Sequence, residues 1–262
     1  MDDAKTAIAF ANFLQRVRTA QASVLLLDYD GTLAPFTVDR SRAHPYLGVI
    51  PILEKIIQCR RTRVIILSGR PVLELRALLA PMDSLETWGA HGMEHQSSDG
   101  SCESYPVSEE NVAFLEAAEK WVVAAGLRSR AEIKPGGIAI HWRGLPPGEA
   151  KRVEDLTRQG WAPLTQRSGL KLLPFEAGLE LRVSHPNKGD VVRSIMTGLD
   201  SNVPVAFLGD DITDEDAFDA LSGNGLSVLV KTDYRKTIAG AWIRPPGELI
   251  AFLEEWLRSV SG

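Results

Sequence analysis

Four apolar residues in a row, Val24-Leu25-Leu26-Leu27, run straight into Asp28-Tyr29-Asp30-Gly31-Thr32-Leu33. A run this short and this uniformly apolar reads as a strand buried on both faces, the mark of a parallel sheet covered by helices on each side. Gly31 breaks the run, so two carboxylates are set at the strand's carboxyl end, where open α/β sheets place their ligands. One residue separates Asp28 from Asp30, and a turn there aims both acids into one crevice. Acids so close repel each other, which a bound cation relieves. A plain turn accounts for Asp30-Gly31 but leaves Asp28 at the end of a buried strand without a partner.

The same grammar recurs twice. Arg63-Val64-Ile65-Ile66-Leu67 stops at Ser68-Gly69-Arg70-Pro71, and Val72 to Leu79 then has helical character. That turn offers a hydroxyl, backbone N–H groups at a helix start and an arginine, an anion site in form; a helix cap with a solvated Arg70 explains it equally well. Val203 to Leu208 is the second apolar strand, and Gly209-Asp210-Asp211-Ile212-Thr213-Asp214-Glu215-Asp216 follows it. Complementing a helix dipole explains Asp214 to Asp216 but not Asp210 and Asp211. Two acidic strand ends in one sheet are what a hard divalent cation needs.

Around these strands the periodicity predicts helices over 4–18, 48–59, 190–196, 217–221 and 247–260, and further strands over 85–88 and 226–230. The loop formers from Ala34 to Tyr46 are suited to roofing the site. In Gly89-Ala90-His91-Gly92-Met93-Glu94-His95 the glycines flank a histidine, which suits a tight loop approaching a ligand or a turn with an exposed His91.

From Ser108 the pattern changes. Ser108-Glu109-Glu110 caps a helix to about Ala125, and residues 131–134 and 137–143 alternate across Pro135-Gly136 as a hairpin with one solvated face. A helix over 147–160 and strands over 170–173 and 179–183 follow. Helix, hairpin, helix, hairpin is a compact α+β unit. The predicted fold class is therefore α/β, a core of residues 1–106 and 185–262 with a parallel sheet, and an inserted α+β unit over 107–184.

Composition narrows the function. At 44% hydrophobic and 24% charged residues the chain is ordinary globular material, and a net charge of -5 makes nucleic acid a poor partner. Cys59 and Cys102 are the two cysteines, with no zinc spacing. The Met-Asp-Asp start lacks a basic leader and no run of eighteen apolar residues occurs, so the expectation is a cytoplasmic chain with no membrane partner.

Taken together, Asp28-Tyr29-Asp30-Gly31-Thr32, Ser68-Gly69-Arg70, Lys188 and Gly209-Asp210-Asp211-Ile212-Thr213-Asp214 resemble, in order and spacing, the four motifs of the haloacid dehalogenase superfamily of phosphatases. Within it the chain resembles the trehalose-6-phosphate phosphatase family over roughly residues 20 to 255, through Gly89 to Glu94, Glu132 with Lys134, Ala139 to Arg143 and Asn187-Lys188-Gly189. The resemblance implies a modified Rossmann-like core with an inserted cap. It further implies Asp28 as nucleophile and Asp30 as general acid/base, with Ser68 and Lys188 holding the phosphoryl group. Mg²⁺ would be held by the Asp28 carboxylate, the Asp30 carbonyl and the Asp210 carboxylate, with Asp211 and Asp214 as further ligand candidates. Substrate contacts would come from Ser68, Gly69, Arg70, His91, Gly92, Glu132, Lys134, Glu180 and Lys188.

The implied activity is hydrolysis of a small sugar phosphate, trehalose 6-phosphate first, with a trehalose-6-phosphate synthase as a partner in the same pathway. One departure stands out. Phe175 and Glu176 occupy the places of the family's Gly-Lys pair, and the nearest lysine is Lys171. Glucosylglycerol phosphate and mannosylglycerate phosphate therefore remain alternative substrates, as do a phosphotransferase and a non-catalytic sensor.

Overall fold

The structure, a computed structural model, describes residues 3–37, 39–82, 85–166 and 169–262, with side chains from Thr6 onward. Met1 and Asp2, where the expected core segment begins, lie outside the described residues. In chain order, α1 (Asp3–Thr19) leads into β1 (Ser23–Leu27), α2 (Val49–Gln58), β2 (Thr62–Leu67), α3 (Val72–Leu79), β3 (Glu86–Gly89), β4 (Glu94–Gln96) and β5 (Cys102–Ser104). Then come α4 (Glu109–Ala124), β6 (Ala131–Lys134), β7 (Gly137–His141), α5 (Pro147–Thr165), β8 (Leu170–Phe175) and β9 (Gly178–Val183). The chain closes with α6 (Lys188–Thr197), β10 (Val205–Gly209), α7 (Glu215–Ala220), β11 (Leu226–Val230), β12 (Ala241–Ile243) and α8 (Gly247–Val260).

Eight strands form one sheet in the order β12-β11-β10-β1-β2-β3-β4-β5, parallel from β12 through β3, with the β4–β5 hairpin added antiparallel at one edge. β1 is central, and its side chains alternate faces as the pleat demands. Leu25 and Leu27 pack with α1, α2, α3 and α8; Val24 and Leu26 pack with α6 and α7. Burial on both faces is what makes β1 apolar from Val24 to Leu27. On α8, Leu249, Phe252, Leu253, Trp256 and Val260 recur at three- and four-residue intervals and are buried, which pins this helix along its length to the sheet.

The second sheet, β6-β7-β9-β8, is antiparallel. Ile138, Ile140, Leu181 and Val183 pack on Ala118, Val122, Val153 and Trp161 of α4 and α5. Alternation puts Ala139, Glu180 and Arg182 on the opposite face, together with Glu132 and Lys134. The alternating pattern of the 131–143 hairpin predicts a solvated face; the structure instead turns that face onto the first sheet's strand ends, leaving the Glu132 and Lys134 side chains only 15% and 8% exposed. A polar face is compatible with burial when its charges are paired.

Two further differences from the sequence expectation have physical causes. α5 does not stop at Gly160 but runs to Thr165, through Pro163. Gly160 allows close approach of helices: a Cβ there would lie 2.1 Å from the Trp121 indole of α4. β12 is a three-residue edge strand, too short for periodicity to announce it. Among the described residues no helix is long and apolar enough to cross a membrane.

Candidate active site

The carboxyl ends of β1, β2 and β10 meet below the polar face of the second sheet and enclose a cavity with about 610 Å³ of empty space, its mouth included. Asp28 extends the β1 ladder by donating its N–H to Leu208 O at 2.9 Å, which fixes its side chain at the cavity floor. Gly31, at φ +79°, then turns the chain back. A side chain at 31 would be strained by that φ and would also collide with Asp210, whose Oδ2 lies 2.3 Å from the position a Cβ would take.

Lys188 is the first residue of α6. Its position is set by Asn187, which caps the helix by accepting the Asp190 N–H, while Asp190 in return accepts the Asn187 N–H. The Lys188 ammonium, 2% exposed, donates to Asp28 Oδ1 at 2.6 Å and to Asp214 Oδ1 at 2.5 Å. Burial alone would lower its pKa, but Asp214 and Asp28 outweigh that and raise it. Asp28 is pushed up to about 7, chiefly by burial against the opposing pull of Lys188, with Asp214 adding to the rise.

Asp214 organises the acidic loop. Its Oδ2 accepts the N–H groups of Asp210 and Asp211 at 2.9 and 3.0 Å. Arg235, from beyond β11, grips the same loop from outside by donating to the carbonyls of Asp210 and Asp211 and pairing with Glu215. Asp211 turns its carboxylate to the Ile212 N–H at 2.7 Å and to the Glu176 N–H of the β8–β9 turn at 3.2 Å.

Asp28, Asp210 and Asp214 each present a carboxylate oxygen, the three lying within 4.8 Å of one another. Asp210 Oδ2 is buried and accepts no hydrogen bond among the described residues, its neighbouring cation being Lys231 at 3.6 Å. Burial, then Asp28, Asp214 and Asp211, hold the Asp210 carboxyl well above its ordinary range, against the weaker pull of Lys231. A buried oxygen without a hydrogen bond among crowded acids is the chemistry of a divalent-cation site, so the residues fit the metal that the motif implies.

Ser68 ends β2, and its hydroxyl accepts the Arg70 N–H at 3.2 Å. His91, in the left-handed region at φ 58°, donates its N–H to Ser68 O, and its ring covers Gly69, where a Cβ would meet Nε2 at 2.5 Å. His91 thus seats the Ser68–Gly69 turn. Arg70 reaches across to Asp30 in a bidentate pair, both contacts at 2.6 Å.

Above this floor the second sheet contributes paired charges. Glu180 lies 3.1 Å from Lys134 and 3.0 Å from His91. Burial would raise the Glu180 carboxyl, but Lys134, His91 and Arg182 bring it well below its usual value. His91 is held neutral, its pKa lowered to about 3 by burial and then by Arg182. Glu132 accepts from His141 at 2.7 Å and pairs with Arg40. His141 is likewise lowered to about 3, by burial and then by Arg40.

Of the residues singled out from the sequence, Asp28, Asp30, Ser68, Gly69, Arg70, His91, Glu132, Lys134, Glu180, Lys188, Asp210 and Asp211 all line this cavity. Asp214 lies beneath it. Gly92, at φ +105°, packs instead against Val191 of α6. Lys171 is exposed on β8, opposite Arg182, and is not among the lining residues. Phe36 and Arg40, from the segment expected to act as a roof, do line the cavity, as do His141, Arg143, Phe175 and Thr213. The role of His141 was legible in principle, since it continues the β7 alternation onto the polar face.

A mainly parallel sheet with acid-ended central strands, and an α+β unit inserted over those ends, is the haloacid dehalogenase-like fold. The solved haloacid dehalogenase-like hydrolase from B. subtilis superposes on 85% of this chain and 94% of its own, with a TM-score of 0.57 at 15% identity. Within that class the chain belongs to the trehalose-phosphatase family, whose sequence profile matches residues 26–240. The trehalose-phosphate phosphatase of Mycobacterium ulcerans is 30% identical over 231 residues, 81% of this chain. The chain spans about half the length of such mycobacterial relatives, 55% in this case. The C. albicans trehalose-6-phosphate phosphatase C-terminal domain has a TM-score of 0.83 at 20% identity, covering 95% of this chain and 96% of that one.

Proposed function

We propose that the chain is a Mg²⁺-dependent phosphatase that hydrolyses trehalose 6-phosphate to trehalose and inorganic phosphate through an aspartyl-phosphate on Asp28. The observation that carries the reading is the floor of the cavity, where a buried aspartate, a buried lysine and the Ser68 turn converge. Lys188 holds Asp28 Oδ1, and the Thr32 hydroxyl stands 3.4 Å from Oδ2. The carboxylate is thereby oriented for in-line attack on phosphorus.

In the first step an Asp28 oxygen bonds to phosphorus, the bond from phosphorus to the sugar oxygen breaks, and Asp30, which has first to leave its bidentate pair with Arg70 and take up a proton, gives that proton to the sugar oxygen. In the second, water attacks phosphorus, its proton passes to Asp30, and the Asp28 carboxylate is released. Lys188, the Ser68 hydroxyl and the backbone N–H groups of the turn hold the phosphoryl oxygens as charge spreads over them. Mg²⁺, bound by the carboxylates of Asp28 and Asp210 and the Asp30 carbonyl, with Asp211 and Asp214 as further candidates, would neutralise phosphoryl charge. Glu132, Lys134, Glu180 and His91 bind sugar hydroxyls, and the lid formed by residues 107–184 excludes water during the reaction. The substrate is a small molecule supplied by a trehalose-6-phosphate synthase, and the setting is cytoplasmic.

A second reading, hydrolysis of glucosylglycerol phosphate or mannosylglycerate phosphate by the same chemistry, is favoured by one observation: Lys171 does not reach the cavity. Phosphate release from a panel of sugar phosphates, with Mg²⁺ and with chelator, tests both readings. Strong preference for trehalose 6-phosphate, abolished by chelator and by Asp28→Asn, is expected. Activity retained in Asp28→Asn would refute the nucleophile, and preference for another glycosyl phosphate would refute the substrate.

A further inference from the structure

The β8–β9 turn carries the feature least explained by phosphoryl chemistry. Phe175 lines the cavity and is half-buried there. Its ring is fixed before any ligand arrives. It lies across Gly178, its register partner, where a Cβ would come within 1.9 Å of the ring, and the His141 ring packs edge-on at 5.2 Å and 67°. His141 is in turn held by Glu132. The neighbouring Glu176 faces elsewhere: its N–H donates to Asp211 and its carboxylate lies 3.6 Å from Lys231.

A rigid apolar face inside a cavity otherwise walled by Glu132, Glu180, Lys134 and Arg40 asks for a ligand that is apolar on one side and rich in hydroxyls on the others. A pyranose ring has that character: its hydroxyls answer the charged wall, and its C–H face answers the ring. Glycerol has no such face. Phe36, another phenylalanine lining the cavity, is covered by Arg143 at 5.0 Å, and Arg143 also donates to Thr37 O.

We propose that Phe175 is a stacking platform for the C–H face of a sugar ring, and that it sets the preference of this site for a phosphate ester carrying a neutral pyranose over an acyclic one such as glycerol 3-phosphate. The proposal rests on the phosphatase reading above and names the substrate class of that same site.

The test is steady-state phosphate release by wild type, Phe175→Ala and Phe175→Trp with trehalose 6-phosphate, glycerol 3-phosphate and acetyl phosphate, the last two having no ring. Phe175→Ala is expected to raise KM for trehalose 6-phosphate on the order of tenfold, with kcat within about twofold and acetyl phosphate unaffected, because uniform binding is what is removed. Phe175→Trp is expected to restore KM. The preference over glycerol 3-phosphate should shrink in Phe175→Ala and return in Phe175→Trp. A wild type that prefers trehalose 6-phosphate and a Phe175→Ala variant that keeps that preference would overturn the platform alone. Equal losses on acetyl phosphate would overturn it too. A wild type that cleaves acetyl phosphate but no pyranose phosphate would overturn the substrate reading and the platform with it.

Discussion

The Arg70–Asp30 pair makes an asymmetric prediction. Arg70 is the deep member, its side chain 2% exposed, while that of Asp30 is 28% exposed. In Asp30→Ala the guanidinium stays charged and buried, left with the Arg40 carbonyl at 2.9 Å and the largely exposed Glu74 at 3.4 Å. Removing one partner of a buried pair typically destabilises by 3–5 kcal/mol, and these two remaining contacts place the expected loss near the low end, about 3 kcal/mol. In Arg70→Met the packing on Tyr29 is largely retained, and the abandoned carboxylate is wet enough for water to replace its donors, so about 1 kcal/mol is expected. The double variant has neither orphan, and the coupling energy should come to about 2 kcal/mol. Equilibrium urea unfolding of the four proteins at pH 7.5, followed by tryptophan fluorescence, measures all three quantities. If Arg70→Met proved costlier than Asp30→Ala, or the coupling fell below about 0.5 kcal/mol, the claim that the buried guanidinium is the sensitive member would be wrong.

Three further outcomes are expected. His91 takes up a proton at about pH 3 when folded but at about 6.5 when unfolded, so between those values the unfolded chain binds more protons and stability falls as pH falls; at pH 5 the loss is about 2 kcal/mol from this residue. His91→Asn, tolerant of the left-handed backbone, should flatten the stability slope between pH 7 and 5, and an unchanged slope would remove His91 from the acid response. Gly160→Ala gains about 1 kcal/mol of helix propensity but sets a methyl 2.1 Å from the Trp121 ring, so a net destabilisation of about 1 kcal/mol is expected in thermal unfolding; a stabilised variant would mean that the indole moves aside freely. Arg235→Ala releases the carbonyls of Asp210 and Asp211 and should weaken Mg²⁺ binding on the order of tenfold by calorimetry, whereas an unchanged affinity would mean that Asp214 alone holds the loop.

The central strands were readable because burial on both faces leaves β1, β10 and β11 almost wholly apolar, with Ser23 and Ser227 as the polar positions, and each stops abruptly at a glycine, acid or polar residue. The acids themselves were readable for the same reason, since a carboxylate after such a strand has no structural excuse. What sequence could not convey was contact between distant segments. Gly160 reads as a helix end until Trp121 is seen lying against it. The alternation in β6 and β7 reveals a polar face but not what covers it, so the pattern alone leaves Glu132 and Lys134 in water, and only the family resemblance puts them at the substrate. Arg40 and Phe36 sit in a loop whose composition shows only that it is a loop. Arg235 had no local signal, because its partners are main-chain carbonyls some two dozen residues away.

Glu132 pairs with Arg40 and His141, and Glu180 with Lys134 and His91, although Glu132 Oε1 and His91 Nδ1 are buried without a hydrogen bond among the described residues. A ligand entering this cavity therefore fills few vacancies; for the most part it competes with bonds the protein already makes to itself. Its affinity is a difference between two nearly complete sets of hydrogen bonds, and a molecule offering half the required hydroxyls would break internal pairs without replacing them. Discrimination is in that sense built into the empty protein, which is itself the reference that every candidate ligand has to outbid.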